Sequence, residues 1–481
     1  MEMRNILADF VTGDDGQCQN RSPRYILFPK EFKDSICLKC VRIKRFQRTL
    51  NAQQILWDFK IFAVGEKYSP CPLYEEYGSE HFLLVQFEKS CRQTVVEKVV
   101  KSGFWVKVGD ETASVHYKFF GHSPTQLRSR LCVFYSTDLE RRFGSYENII
   151  SKFGNFDMKN VSKRAARIGL LLSTAKPAIM VDDDQVDVIA DIEHDSFNFT
   201  DGCGLIAFDI AARIKKDAVY PFKYQYDKQV PKFPSVYQIR FKGCKGTLML
   251  DSTLTNKIAL RKSLVKFDWN PDKKQNWLRI VEDGKAVSFP NSYSSLNLQF
   301  IRLLSALGVP DDVFLKKLDR YLDELSRILI DKEVQVRFLC AYRRYDLAER
   351  ILTMHTDLDD ETRTELKRYQ VTCPMQKSRT SEPKHKFGVS DHTKTEEKIK
   401  IKLPLDQSRL VFGVADTSQK LEYGSCYFQP TIRGMPTMLE GVQVIVAKSP
   451  SYHVGDIRVL MCVNIPECRH LVDCLVFPVN G

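Results

Sequence analysis

An α+β architecture is predicted, with two strand-rich blocks separated by a helical one, and three observations carry it. From Asp195 to Asp251, β-branched and aromatic residues are punctuated by Gly202, Gly204, Gly243 and Gly246, the pattern of a compact barrel with sharp turns. From Ser294 to about Tyr369 the spacing is helical, beginning with Leu296, Phe300, Leu303, Leu304 and Leu307. Beyond Ile399 apolar strands return at Leu410 to Ala415, Val442 to Ala447 and Ile457 to Val463, again with glycines between them.

Taken in chain order, residues 1–36 are polar and irregular, with Gly13, Asp14, Asp15 and Gly16 in a turn-rich stretch, and read as a flexible N-terminal arm. Residues 37–195 read as mixed α/β. Val41 and Ile43 alternate with basic residues, and Phe82 to Phe87 is a short apolar run. Between Ser151 and Ser173, Lys152, Lys159, Lys163, Arg164 and Arg167 are interleaved with apolar residues at helical intervals, which predicts a helix with one basic face. Leu205 to Ile214 also reads as a helix. Gly308 and Pro310 end one helix of the connector at 291–370, and Asp311 and Asp312 open the next. Residues 371–400, poor in large apolar side chains and rich in Lys, Ser, Thr and Glu, read as a mobile loop.

Bulk properties exclude several function classes. In 481 residues, 43% are hydrophobic and 27% charged, and no run approaches the ~18 uninterrupted apolar residues of a membrane span. The start, with Asp9, Asp14 and Asp15 soon after Arg4, lacks the order of a secretory signal. Fourteen scattered cysteines suit reduced thiols rather than a disulfide scaffold, so an intracellular address is expected, in a cytoplasmic or perinuclear granule or in the nucleus. Lysine plus arginine outnumber aspartate plus glutamate 72 to 60, a net +12 that favours an anionic partner without choosing one. Membrane partners are not expected.

The chemistry concentrates in Asp201-Gly202-Cys203-Gly204 and in Pro234 to Gly246. Gly243 and Gly246 bracket Lys245 on a turn that a ligand can approach closely, and Arg240 lies on the strand leading into it, so a phosphate could be held there by backbone N–H groups and two cations. The competing reading is a glycine turn between two core strands with its lysines in solvent. The spacing is not that of a Walker loop.

These blocks, followed by Leu260-Arg261-Lys262-Ser263-Leu264-Val265-Lys266-Phe267, resemble in order and spacing the cellular RNA-dependent RNA polymerases of RNA silencing. Further matches are Phe120-Gly121-His122-Ser123-Pro124-Thr125-Gln126-Leu127-Arg128, Val161 to Gly169, Leu307-Gly308-Val309-Pro310, Phe412 to Asp416, Lys448-Ser449-Pro450 with Asp456 and Arg458, and His470 to Pro478. Val454 and Lys262 depart from the family pattern, each standing where it usually has proline. The resemblance implies two double-psi β-barrels joined by helices, the first at 196–290 and the second beginning at 401–481.

In that family the second barrel supplies an Asp-x-Asp-Gly-Asp loop for Mg²⁺ shortly after the Phe-Pro segment. This sequence contains no such motif and ends at Phe477-Pro478-Val479-Asn480-Gly481, so the resemblance implies an incomplete second barrel, with the catalytic aspartates beyond Gly481 and no metal site in the chain itself. The run Asp182-Asp183-Asp184 lacks the glycine and reads as a solvated loop.

The same resemblance implies that Lys245, Lys266, Arg240 and Arg261 contact nucleotide phosphates, and that Lys448, Arg458, Lys163 and Arg167 contact RNA. Pairing with local carboxylates on a wet surface is the competing role for each. The function implied is RNA-directed RNA synthesis from nucleoside triphosphates in small-RNA gene silencing, with RNA template, triphosphates and silencing-complex proteins as partners. The alternative is a catalytically inactive RNA-binding or scaffold protein of the same fold. Cys37 and Cys40 have zinc-knuckle spacing without a second pair, and Cys468, His470 and Cys474 fall in a packing segment, so both sets read as structural.

Overall fold

Strands form where β-branched and aromatic residues stand between turn residues, and in the computed structural model the described ones assemble into two seven-stranded sheets, one five-stranded sheet and three two-stranded pairs. The structure describes residues 25–28, 39–48, 55–63, 71–87, 91, 93–108, 114–214, 234–273, 275–281, 294–341, 344–353, 357–372, 400–403, 407–432 and 435–480. One unit comprises Met1–Asp191, Asp201–Lys223 and Tyr237–Ala286, and the other comprises Ile192–Thr200, Tyr224–Val236 and Val287–Gly481.

The first unit opens with β1 (Tyr25–Phe28), β2 (Lys39–Arg48), β3 (Ile55–Ala63), β4 (Phe82–Phe87), β5 (Phe104–Val108), β6 (Ser114–Gly121) and β7 (Leu131–Ser136), in the order β1-β5-β6-β7-β4-β2-β3. The run Phe-Leu-Leu-Val-Gln-Phe of β4 has an interior place in the sheet, and five of its six side chains are buried, as an apolar run without alternation requires. Beneath it, α1 (Pro72–Tyr77), α4 (Thr137–Phe143) and α5 (Tyr146–Ser151) contribute Leu73, Tyr77, Leu139, Ile149 and Ile150 to a core that also takes Phe153, Phe156 and Phe267. Between them in sequence lie α2 (Gln93–Ser102) and α3 (Pro124–Arg128). The Ser-Pro-Thr-Gln sequence is the start of α3: Ser123 Oγ accepts from Gln126 N (3.2 Å), Gln126 Oε1 accepts from Ser123 N (2.7 Å), and Pro124 occupies the first turn, where no N–H is needed.

The second sheet of this unit runs β8-β16-β13-β14-β12-β15-β9, with β8 (Ala175–Met180), β9 (Val186–Ile189), β12 (Cys203–Ala207), β13 (Val236–Phe241), β14 (Cys244–Asp251), β15 (Ile258–Arg261) and β16 (Trp277–Val281). Parallel pairs (β12 with β14, β15 with β9) are mixed with antiparallel ones (β12 with β15, β13 with β16, β16 with β8). Lys242 and Gly243, at φ 40° and 75°, make the two-residue turn between β13 and β14, the left-handed pair that matches strand twist. Glycine is required at 246, because a Cβ there would lie 2.2 Å from Gly202 O. The same carbonyl accepts from Thr247 N at 2.8 Å. Gly202 N donates to Ser263 Oγ (2.9 Å), and Ser263 Oγ donates to Asp191 Oδ1 (2.6 Å), so the three ordered sequence blocks meet. Buried Arg279 donates twice to the Glu75 carboxylate and ties β16 to α1.

In the second unit β10 (Glu193–His194) and β11 (Phe197–Asn198) form a hairpin, and β17 (Ser295–Asn297) pairs with β18 (Lys400–Lys402). The helices are α8 (Leu298–Ala306), α9 (Asp311–Arg327), α10 (Lys332–Ala341), α11 (Tyr345–Thr353) and α12 (Asp360–Thr372), following α7 (Phe208–Arg213) of the first unit. Leu325, Phe338, Leu347 and Leu366 pack together in their core. The Leu-Gly-Val-Pro segment is a helix stop: Gly308 takes φ 92°, its N–H donates to Ser305 O, and Val309 N donates to Leu304 O. The last sheet runs β19-β25-β20-β24-β23, from β19 (Phe412–Ala415), β20 (Ser425–Phe428), β23 (Gln443–Ala447), β24 (Ile457–Cys462) and β25 (Cys474–Phe477), with the small pair β21 (Thr431–Ile432) and β22 (Met435–Pro436) beside it in sequence.

Several expectations change. Residues 25–28 of the proposed arm form β1, which pairs in parallel with β5, and the rest of 1–36 lies outside the described residues. Leu205–Ile214 is not one helix: β12 runs through Ala207, and α7 fills only 208–213, because Leu205 and Ile206 are drawn into pairing with β15. The basic helix between 151 and 173 shortens to α6 (Val161–Ile168), started by Asn160, whose Oδ1 accepts from Lys163 N. The sheet placed at 196–290 takes β8 and β9 from before residue 196. Most of the loop at 371–400, namely 373–399, lies outside the described residues, as does Cys37.

Substituting Gly246→Ala is expected to destabilise the first unit by roughly 2 kcal/mol or more, since backbone atoms must give way. Equilibrium urea unfolding measures it, and a cost near zero would show that the strand crossing has slack.

Candidate phosphate and RNA interface

The turn at Lys242 and Gly243 brings positive charges together. It places Arg240 and Lys245 across from one another on β13 and β14, and on the other side of β13 Arg240 stands opposite Arg279. Cys244 bridges Val265, and Lys266 N donates to Gly243 O (3.1 Å), so alternation puts Gly243, Lys245 and Lys266 on one face. Arg279 has its charge answered by Glu75. Lys245 does not: the charged groups acting on it are Arg240, Lys266 and Arg167, all cations. Burial first, then these neighbours, hold its amine below the ordinary lysine pKa.

The supporting bonds fix several of these groups. Arg240 Nε donates to Ser173 Oγ (3.3 Å) and its Nη1 to Ile239 O (2.7 Å). Lys266 Nζ donates to Ser263 O. Arg167, at the last turn of α6, has a buried Nε with no hydrogen-bond partner among the described residues. A half-buried group of four cations, three of them around Lys245, can take a polyanion at little reorganisation cost, because the fold already holds them close together.

Arg240, Lys245 and Lys266 therefore come together as the sequence suggested, and Arg167, first assigned to RNA, joins them. Arg261 does not. It is 4% exposed, its Nε donates to Cys203 O (3.0 Å) and its Nη1 to Ala190 O, which makes it a brace inside the sheet rather than a phosphate contact. Lys163 is exposed on α6. In the second unit, Lys448 is exposed with Asp456 at 3.4 Å, and exposed Arg458 stands opposite Val446 on β24.

Sequence reading missed Ser173, which lies outside the quoted motifs, and Asp191, which orients Ser263; only spatial proximity reveals either. Asp182 and Gln185 cap a short turn, and exposed Asp183 accepts from Lys242. Asp416 accepts from Ser418 N, Lys420 N and Leu421 N, while Asp473 accepts from Thr431 N and Oγ1, so these two buried motif carboxylates hold backbone turns. Cys468 and Cys474 are buried and form no disulfide, and among the described residues no three His, Cys, Asp or Glu side chains converge on a metal position.

A family model described as RNA dependent RNA polymerase matches residues 66–481. The chain belongs to the RNA-dependent RNA polymerase family. It is 29% identical over 388 residues to the probable RNA-dependent RNA polymerase SHL2 of Oryza sativa subsp. japonica, covering 76% of this chain and 28% of that protein. It is also 29% identical over 398 residues to RNA-dependent RNA polymerase 1 of Arabidopsis thaliana, covering 80% and 32%. The chain thus spans less than a third of either relative. The solved RNA dependent RNA polymerase QDE-1 from Thielavia terrestris shares the fold with TM-score 0.60 at 16% identity, over 92% of this chain and 51% of that one.

The Lys245 environment has a pH consequence. With a folded pKa below the unfolded one, the unfolded chain binds more protons between the two values, so stability rises with pH through that window and the cost of the charge is carried in full below it. Lys245→Met is expected to be more stable than the parent at pH 7, with the gain shrinking as pH passes the ordinary lysine value of 10.5. Urea unfolding at both pH values measures this, and a less stable variant at pH 7 would contradict it.

Proposed function

We propose that this chain is part of an RNA-directed RNA polymerase, which makes RNA from nucleoside triphosphates on an RNA template in small-RNA gene silencing. The observation that carries the reading is Lys245 held among Arg240, Lys266 and Arg167, in a chain of the RNA-dependent RNA polymerase family. The group would neutralise triphosphate or backbone phosphate charge, with Lys245 and Lys266 as direct contacts and Arg240 held in place by Ser173 and Ile239. Exposed Lys163, Lys448 and Arg458 are assigned to the RNA backbone, where cations act by charge rather than by base identity. The mixed sheets at 175–281 and 412–477 are assigned as the family's double-psi β-barrels, and silencing proteins as further partners.

Magnesium is the metal this chemistry implies, to activate the attacking hydroxyl and stabilise the leaving group. The described residues do not fit it, since none of their carboxylates gather into a site. What these residues themselves supply is binding and charge compensation.

Lys245→Glu is expected to weaken binding of single-stranded RNA and of UTP by more than about tenfold, and to lower the salt dependence of RNA binding by about one counterion, with the fold retained. Fluorescence anisotropy across a salt series, with far-ultraviolet circular dichroism, measures both. Unchanged affinity for both ligands would remove the phosphate role. A longer form of the protein that contains this chain, binds RNA and incorporates no nucleotide in the presence of Mg²⁺ would select the non-catalytic scaffold.

A further inference from the structure

Beside the cation group, within the first unit, the sheet and the segments packed on it leave a partly open cleft of about 420 Å³ counting its mouth. Its walls are Phe267, Trp269, Trp277 and Leu171, and its polar groups include Arg240 and Lys242. Arg240 lines the cleft and also acts on Lys245, so the cleft and the cation group are continuous. Pairing of Arg240 with Arg279 on antiparallel strands sets Trp277 on the same face of β16 as Arg279, two residues along. Neither indole is sealed in the core: Trp269 and Trp277 are both partly exposed, and Trp269 Nε1 donates to Lys273 O (3.4 Å).

The chemistry that fits is narrow. Partly exposed aromatic rings beside a cation group call for a flat π system carried on an anion. Of the carboxylates bonded to its lining, Glu75 is taken up by Arg279 and Gln275 and Asp183 by Lys242, so both are answered by donors of the cleft wall. Arg240 is held by Ser173 and its own strand, which presents a fixed guanidinium to a ring edge or face. The enclosed part of the cleft is small, about 40 Å³, so a ring here lies across the open mouth against the indoles.

We propose that this cleft is a base-stacking subsite that receives one unpaired nucleobase against Trp277 and Trp269 while its phosphate lies on Lys245 and Arg240. The proposal rests on the phosphate reading of the cation group for its anionic half only. The base half stands on the indoles. Two sources carry this chemistry, a single RNA strand and a free nucleoside triphosphate.

The test compares the 481-residue chain binding a labelled oligouridylate with the same oligomer made abasic, each with and without competing UTP. The base-bearing oligomer is expected to bind more tightly than the abasic one, and Trp277→Ala to weaken it about tenfold while leaving the abasic oligomer unchanged. Trp277→Phe should restore most of the loss. Competition by UTP assigns the subsite to the free nucleotide, and its absence assigns it to the strand. If Trp277→Ala unfolds, quenching of intrinsic tryptophan fluorescence in the unsubstituted chain by the base-bearing oligomer alone gives the same answer.

Equal affinity for the two oligomers, or no loss at Trp277→Ala, overturns the subsite. The phosphate reading survives that result if Lys245→Glu still weakens both oligomers. Loss at Trp277→Ala without loss at Lys245→Glu keeps the base subsite and removes the phosphate reading instead.

Discussion

Everything at the candidate site depends on one close backbone crossing. The strand carrying Lys245 passes the Gly202 turn with no space for a Cβ at Gly246, and Thr247 closes the contact by donating to Gly202 O. That crossing fixes the height of β14 against β12, and the two-residue turn at Lys242 and Gly243 then fixes Arg240 opposite Lys245. Neither arrangement tolerates an ordinary side chain at its critical glycine, since a Cβ at Gly243 would meet Phe267 O at 2.4 Å. Rigid backbone is what allows like charges to be held close.

Like-charge crowding is a cost to the folded chain. Lys245 is half-buried among cations, whereas nearby Arg279, more deeply buried, is answered by Glu75. The contrast separates a cation paired with a carboxylate from one set among like charges on the same sheet face. An arginine that joins segments needs a carboxylate, because a buried unpaired charge costs several kcal/mol. Arg261 is answered differently, its guanidinium donating to backbone carbonyls.

In the second unit, motif residues that look chemical have been turned to architecture. Asp416 gathers three backbone N–H groups, and Asp473 secures Thr431, while Cys426 and Cys462 lie with their sulfurs 3.7 Å apart inside the core. Short strands and tight turns leave many buried backbone donors, and a carboxylate with two oxygens can satisfy several of them at once.

Periodicity and turn chemistry are local properties, so the sequence by itself determined the α+β class, the helical connector and the helix stop at Leu307-Gly308-Val309-Pro310. It also marked Arg240 and Lys245 beside the glycine turn at Gly243 and Gly246, whereas Lys266 was marked by the family resemblance alone. What it could not show was which cations turn inward to a carbonyl or a carboxylate and which stay open, the sorting of Arg261 and Arg279 from Lys245. Nor could it show that Leu205 and Ile206, apolar enough for a helix, pair with β15 instead. Those outcomes rest on partners 50 or more residues away in sequence, such as Ala190 for Arg261 and Glu75 for Arg279. Local propensity carries no information about contacts at that range; only the tertiary packing decides them.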